Sequence, residues 1–71
     1  MKKIFKLNEV DCPNCAAKME REINKLDEIE NASVSYLTQK LIVEADEIND
    51  ILLDKIQELI KKIEPDCNIV R

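Results

Sequence analysis

Cys12 and Cys15, in the segment Asp11-Cys12-Pro13-Asn14-Cys15, are the residues of this chain best suited to chemistry. At Cys-x-x-Cys spacing, with one thiol in a loop and the other in the first turn of a helix, both sulfurs fall on the same side of the helix entrance. There they can close on one ion. The unpaired N–H groups and partial positive charge of a helix N-terminus are expected to lower the thiol pKa and favour the thiolate that binds metal. Lys18, one turn beyond Cys15, is expected to add to that field. Thiolates select soft or borderline ions, namely copper(I), zinc, cadmium or lead, and two of them with one weaker donor leave the ion open to an incoming ligand. Such a site suits transfer better than storage. The chain has no histidine, so Ser-His and Cys-His nucleophile pairs are excluded and any metal must be held by sulfur and oxygen. A structural zinc site needs two further Cys or His ligands at fixed spacing, which the sequence does not supply.

The residues around the pair carry plainer readings as well. Asp11 is either a third, oxygen ligand or the carboxylate cap of the helix that follows, and the two roles are compatible. Cys67 shares the parity of Ile69 and is expected to pack in the core as a small hydrophobe. Asp66 reads as a solvated loop carboxylate and Met19 as core. The acidic run Glu44, Asp46, Glu47 and Asp50 reads as solvated surface or helix capping.

The elements that must position the pair follow from periodicity. Phe5 and Leu7 alternate with Lys6 and Asn8, which predicts a first strand over about Lys3 to Val10. Ala16, Met19, Ile23 and Leu26 recur at helical spacing in an amphipathic helix that starts near Pro13, a residue favoured in a first turn. Ala32, Val34 and Tyr36, then Leu41, Val43 and Ala45, alternate on either side of the polar turn Thr38-Gln39-Lys40 as a β-hairpin. Asn49 or Asp50 caps a second helix with the stripe Leu52, Ile56, Leu59, Ile60 and Ile63, which Pro65 ends. Cys67, Ile69 and Arg71 form a short last strand.

The order βαββαβ predicts a ferredoxin-like α+β sandwich: a four-stranded antiparallel sheet with both helices on one face. In that topology the last strand lies antiparallel beside the first, so Pro65, Asp66 and Cys67 neighbour the Cys12 loop. The chain has no glycine, and Asn8, Asn31, Asn68 or Asp residues are expected to supply any positive-φ positions.

Composition narrows the function. The 71 residues read as one domain, 1–71, burying only roughly 60% of the surface the unfolded chain exposes, which leaves little room for a deep substrate pocket. A net charge of −4 disfavours nucleic acid and anionic lipid unless a basic patch outvotes the average. The two aromatics, Phe5 and Tyr36, are too few for a base-stacking platform. Apolar runs such as Leu41-Ile42-Val43 are far shorter than the roughly 20 residues of a membrane span, and the N-terminus does not continue into a signal sequence. Three cysteines, one close pair and one distant, point to a reducing, cytoplasmic setting.

Val10-Asp11-Cys12-Pro13-Asn14-Cys15-Ala16 resembles the metal loop of the heavy-metal-associated domain family, and the resemblance extends over Gln39-Lys40-Leu41-Ile42-Val43 and Ile63-Glu64-Pro65-Asp66. It implies a ferredoxin-like fold with a metal on Cys12 and Cys15, in a non-catalytic domain that is part of a heavy-metal P-type ATPase or a separate metallochaperone. The implied partners are the transmembrane part of such an ATPase or a metal-donor protein; the chain itself is expected to be mostly monomeric, with a metal-bridged dimer as the alternative. Glu9-Val10 stands where the family usually has Gly-Met, so Glu9 must tolerate the backbone that glycine relaxes. Asp11 stands where copper-handling members typically have threonine and resembles the aspartate of zinc, cadmium and lead exporters. A carboxylate suits a divalent ion and adds little to two-thiolate copper(I), so zinc or cadmium is favoured over copper. A thiol-disulfide oxidoreductase is the alternative of another class, since it uses the same motif.

Overall fold

The computed structural model describes residues 1–70. The chain runs β1 (Lys2–Asn8), α1 (Pro13–Asn24), β2 (Asn31–Ser35), β3 (Lys40–Glu44), α2 (Asp50–Ile63) and β4 (Asn68–Val70). The four strands form one antiparallel sheet in the order β2-β3-β1-β4. Leu7 faces Ile69 across β1 and β4, and Ala32 faces Val43 across β2 and β3. This is the ferredoxin-like arrangement that the order of elements predicts. Arg71, expected on the last strand, lies outside the described residues.

Each helix buries one stripe on the same sheet face. Ala16, Met19 and Ile23 of α1 meet Leu52, Leu53, Ile56 and Ile60 of α2 over Leu7, Ala32, Leu41, Val43 and Ile69. Leu26, Leu59 and Ile63 pack partly buried at the rim. Met19 and Cys67 are fully enclosed, as their positions in the pattern imply. Asn49 caps α2, its Oδ1 accepting from the Leu52 N–H at 2.9 Å.

Helix side chains also satisfy the backbone of the outer strands. On β2, Asn24 Oδ1 accepts from Ala32 N–H at 2.8 Å and its Nδ2 donates to Ala32 C=O at 3.0 Å, while Glu20 Oε1 accepts from Val34 N–H at 3.0 Å. At β4, Gln57 Oε1 accepts from Ile69 N–H at 2.7 Å and its Nε2 donates to Cys67 C=O at 3.0 Å. Open strand edges invite pairing with other chains. Here these bonds occupy them and fix both helices against the sheet.

Three local expectations change. β1 stops at Asn8 rather than continuing to Val10, because Glu9 takes φ 55° and turns the chain into the core, where Val10 is buried. Tyr36 falls in the hairpin turn beyond β2. Among the described residues the positive-φ positions are Glu9 and Gln39, both at 55°, and none of Asn8, Asn31 or Asn68 is among them. Two of those asparagines are employed elsewhere: Asn8 Oδ1 accepts from Asn68 N–H at 2.6 Å, and Asn68 Nδ2 donates to Asp66 C=O at 3.3 Å. A left-handed backbone costs a non-glycine residue about 1–2 kcal/mol. At Gln39 the cost is offset by bonds: its C=O accepts from Leu7 N–H at 2.8 Å, Oε1 accepts from Val10 N–H at 2.8 Å, and Nε2 donates to Val10 C=O at 2.9 Å. The hairpin turn thereby grips the strand end that leads to Cys12. Glu9 has no comparable clamp on its side chain among the described residues.

Two substitutions should move stability in opposite directions. Glu9→Gly relaxes the left-handed position and is expected to stabilise by about 0.5–1 kcal/mol. Gln39→Ala strips both Val10 groups of their partners and is expected to destabilise by about 1–3 kcal/mol. Urea unfolding of both variants beside the parent checks the two signs.

Candidate metal centre

The centre sits where β1 hands over to α1. Cys12 is the N-cap of α1, extended at φ −152° and ψ 151°, and its Sγ accepts from Cys15 N–H at 3.1 Å. This assigns the cap to Cys12 and removes it from Asp11, whose side chain is exposed one residue earlier. Pro13 follows as the first helical residue, where its missing N–H costs nothing. Cys12 and Cys15 are half-buried, and their sulfurs lie 2.7 Å apart. Both are free cysteines.

A third donor reaches them that the sequence reading did not single out. Glu64, half-buried, brings a carboxylate oxygen within 4.8 Å of both sulfurs, and Cys12, Cys15 and Glu64 form a converging set of metal-ligand atoms. Local sequence explains how. The residue before a proline is driven out of helical conformation, and Glu64, preceding Pro65, ends α2 at φ −132° and ψ 95°. Pairing of β4 with β1 then lays this helix end against the mouth of α1. The sequence did place Pro65, Asp66 and Cys67 near the loop. Its usable signal was the carboxylate one position earlier, fixed by its proline.

The other neighbours fall into place around this set. Asp11 and Asp66 are exposed, and neither belongs to the converging donors. Cys67 is fully buried; desolvation, with the nearby Glu64, Asp11 and Glu9 carboxylates, pushes its thiol up to about 11. Lys18 is exposed and, with Arg21, Lys25 and Lys62, lines a cleft of about 340 Å³ between α1 and α2, walled by Leu59 and Ile63. Glu22 in that cleft pairs with Lys25 at 2.8 Å, and Lys25, Arg21 and Lys62 together hold its carboxyl below the ordinary value.

The expected lowering of thiol pKa is reversed at Cys15. Its thiol is pushed up to about 12, first by hydrogen bonding to the Cys12 sulfur and then by the Glu64 carboxylate. Two groups that carry or develop negative charge face it at close range, and their effect outweighs that of the helix N-terminus. These neighbours favour a proton on Cys15, and a cation bound here would meet two sulfurs and a carboxylate. Together the donors offer two soft sulfurs and one hard oxygen to a metal ion.

Two thiols at the start of a helix of a ferredoxin-like sandwich, one capping it and one in its first turn, faced by one carboxylate at a partly open surface, define a small metal-binding domain. The sequence profile of the family described as the heavy-metal-associated domain matches residues 4–66. The chain belongs to the heavy-metal-associated domain family. A cadmium, zinc and cobalt-transporting ATPase of Helicobacter pylori (strain ATCC 700392 / 26695) is 31% identical to it over 65 residues. That alignment takes in 92% of this chain and 9% of the ATPase, so the chain spans a small part of that relative's length. Among solved structures, the N-terminal domain of ZntA in its apo form superposes with a TM-score of 0.73 at 27% identity, covering 99% of this chain and 92% of that one. The yeast copper transporter domain CCC2A gives 0.74 at 23% identity, covering 99% and 94%. The CopZ metallochaperone gives 0.75 at 17% identity, covering 99% and 100%. The last two likenesses are of fold. Domains of this family bind metal and are not catalytic.

If Glu64 holds the Cys15 proton in place, Glu64→Gln lowers the pKa of that thiol. Site-resolved alkylation of the metal-free protein across pH 7–11 is expected to show faster modification of Cys15 in the variant. An unchanged profile would mean that the carboxylate does not face the thiol.

Proposed function

We propose that residues 1–71 act as one metal-binding domain of a heavy-metal transporting P-type ATPase, carrying a single zinc or cadmium ion on Cys12 and Cys15 and passing it on by ligand exchange. Glu64 is the third donor, and Asp11, beside Cys12 in the loop, joins as an oxygen ligand when the loop closes on the ion. The observation that carries this reading is the convergence of Cys12, Cys15 and Glu64, two soft donors and one hard one. Copper(I) favours thiolates and gains little from carboxylates. The 31% identity to a cadmium, zinc and cobalt-transporting ATPase supports the same preference.

The partner is acidic where it meets the domain. The cleft beside the centre presents Lys18, Arg21 and Lys62 over an apolar floor, its one carboxylate, Glu22, being paired with Lys25, and Lys18 stands one turn from Cys15. A donor protein or another part of the transporter that brings carboxylates to this cleft would be held with its own ligands close to the ion. The setting is cytoplasmic, where thiols stay reduced; among the described residues no helix is long and apolar enough to cross a membrane. The carboxylate of Glu64 facing the two thiols favours metal binding over thiol-disulfide exchange, which needs no third donor.

Competition titrations of the reduced protein with zinc, cadmium and copper(I), beside Asp11→Ala and Glu64→Gln, test the assignment. Zinc and cadmium affinity is expected to fall at least about tenfold in each variant while copper(I) binding holds. The Glu64→Gln result is discriminating, because easier deprotonation of Cys15 alone would strengthen binding and loss of a ligand weakens it. Equal zinc affinity in all three proteins, with copper(I) bound more tightly by the parent, would return the chain to the copper(I) metallochaperones.

A further inference from the structure

The sheet face turned away from the helices is open, and its side chains are read directly from the strand register. One row across it holds Asn31, Glu44 and Lys2; the next Ser33, Ile42 and Ile4; the next Ser35, Lys40, Lys6 and Val70. Ile4 is 60% and Val70 50% exposed, so the aliphatic centre of this face is wet. The only carboxylate in these rows is Glu44, which lies 4.0 Å from Lys2.

Lys6 and Lys40 stand directly opposite each other on β1 and β3. Residues so paired have Cβ atoms about 4.5–5.5 Å apart, and like charges there are destabilising. Neither lysine forms an ion pair among the described residues. A chain with 15 acidic residues has thus kept carboxylates off the rows where one would relieve a standing repulsion. An anion placed between the two ammonium groups would relieve it.

We propose that this face is a docking surface for anionic phospholipid headgroups, with Lys6 and Lys40 sharing phosphate charge, Lys2 at the flank, and Ile4 and Val70 seated at the headgroup boundary. Shape favours a lipid layer over a protein. The two clefts described in the molecule are lined by other residues, from the helices and the segments joining them to the strands, whereas this face offers single lysines and aliphatics on an open sheet surface. Mobile headgroups can gather to such charges where they stand; a protein partner would need fixed acids in register. The net charge of −4 conceals the face, because the excess acid lies elsewhere. Each lysine near an anionic surface raises partitioning about fivefold. The affinity is therefore modest, and it becomes effective when the domain is tethered to a membrane protein, a point that rests on the function proposed above. Binding of the free domain to vesicles does not rest on it.

The experiment is sedimentation of the reduced, metal-free chain with vesicles of phosphatidylcholine alone or with 30% phosphatidylglycerol, at low salt and at 0.5 M salt. Binding is expected to the anionic vesicles only, and to be lost at high salt. Lys40→Glu should weaken it at least about 25-fold, since a cation is lost and an anion gained. The same substitution replaces repulsion with attraction at Lys6, so the free variant should melt roughly 1–6 °C higher, which separates lost docking from lost folding. Lys61→Glu on α2 makes the same change in net charge and should retain binding. Equal partition into both vesicle types, no partition into either, or equal losses in the Lys40 and Lys61 variants would overturn the proposal. Because no metal is present, neither result bears on the ligand assignment at Cys12 and Cys15.

Discussion

The pairing of β4 with β1 is the constraint on which the metal centre depends. Three residues of β4 lie antiparallel to the end of β1, with Asn68 opposite Asn8 and Ile69 opposite Leu7. That short seam brings the last turn of α2 against the first turn of α1, although some fifty residues of chain separate them. Without it Glu64 would be one more carboxylate at a helix end. With it, a donor from the C-terminal part of the chain meets two thiols from the N-terminal part.

The seam is narrow, and side chains rather than extra strand residues secure it. Gln57 ties β4 to α2, Asn8 takes the Asn68 N–H, and Gln39 grips Val10 from the hairpin turn. The last bond matters for the cargo. Val10 is the last buried residue before the metal loop, so the hairpin fixes where the loop starts, while Asp11 and Cys12 beyond it remain at the surface. The arrangement joins a rigid anchor to an accessible donor pair, which is what exchange between proteins requires.

The donors of the centre are electrostatically coupled to one another. Donors that face one another across a small pocket repel as they ionise, and Cys15 keeps its proton as a result. A metal ion held by both sulfurs would displace the thiol protons and relieve that repulsion. Metal binding is then linked to proton release, as it must be wherever ligands ionise on coordination. The surrounding surface is divided by sign: cations line the cleft next to the centre, while Asp27, Glu28, Glu30, Asp46 and Glu47 line a second cleft beside the start of α2.

Apolar periodicity and a few cap and breaker residues made the six elements legible in the sequence, because they act over one or two turns and need no distant partner. The pattern at Met19, Ile23, Ile56 and Ile60 marked the core, Asn49 and Pro65 marked the limits of α2, and Cys-Pro-Asn-Cys marked the centre. Glu9 as a glycine-like position was legible too, from its place in the resemblance. Glu64 as a donor, Cys12 as the cap, Gln39 as a clamp and the raised thiol of Cys15 were decided only by the tertiary structure. Each depends on the direction of a side chain across a gap set by other elements. Sequence fixes which groups are present and which local structures they favour; hydrogen bonds and charges fall off so steeply with distance that only the assembled fold determines which of those groups meet.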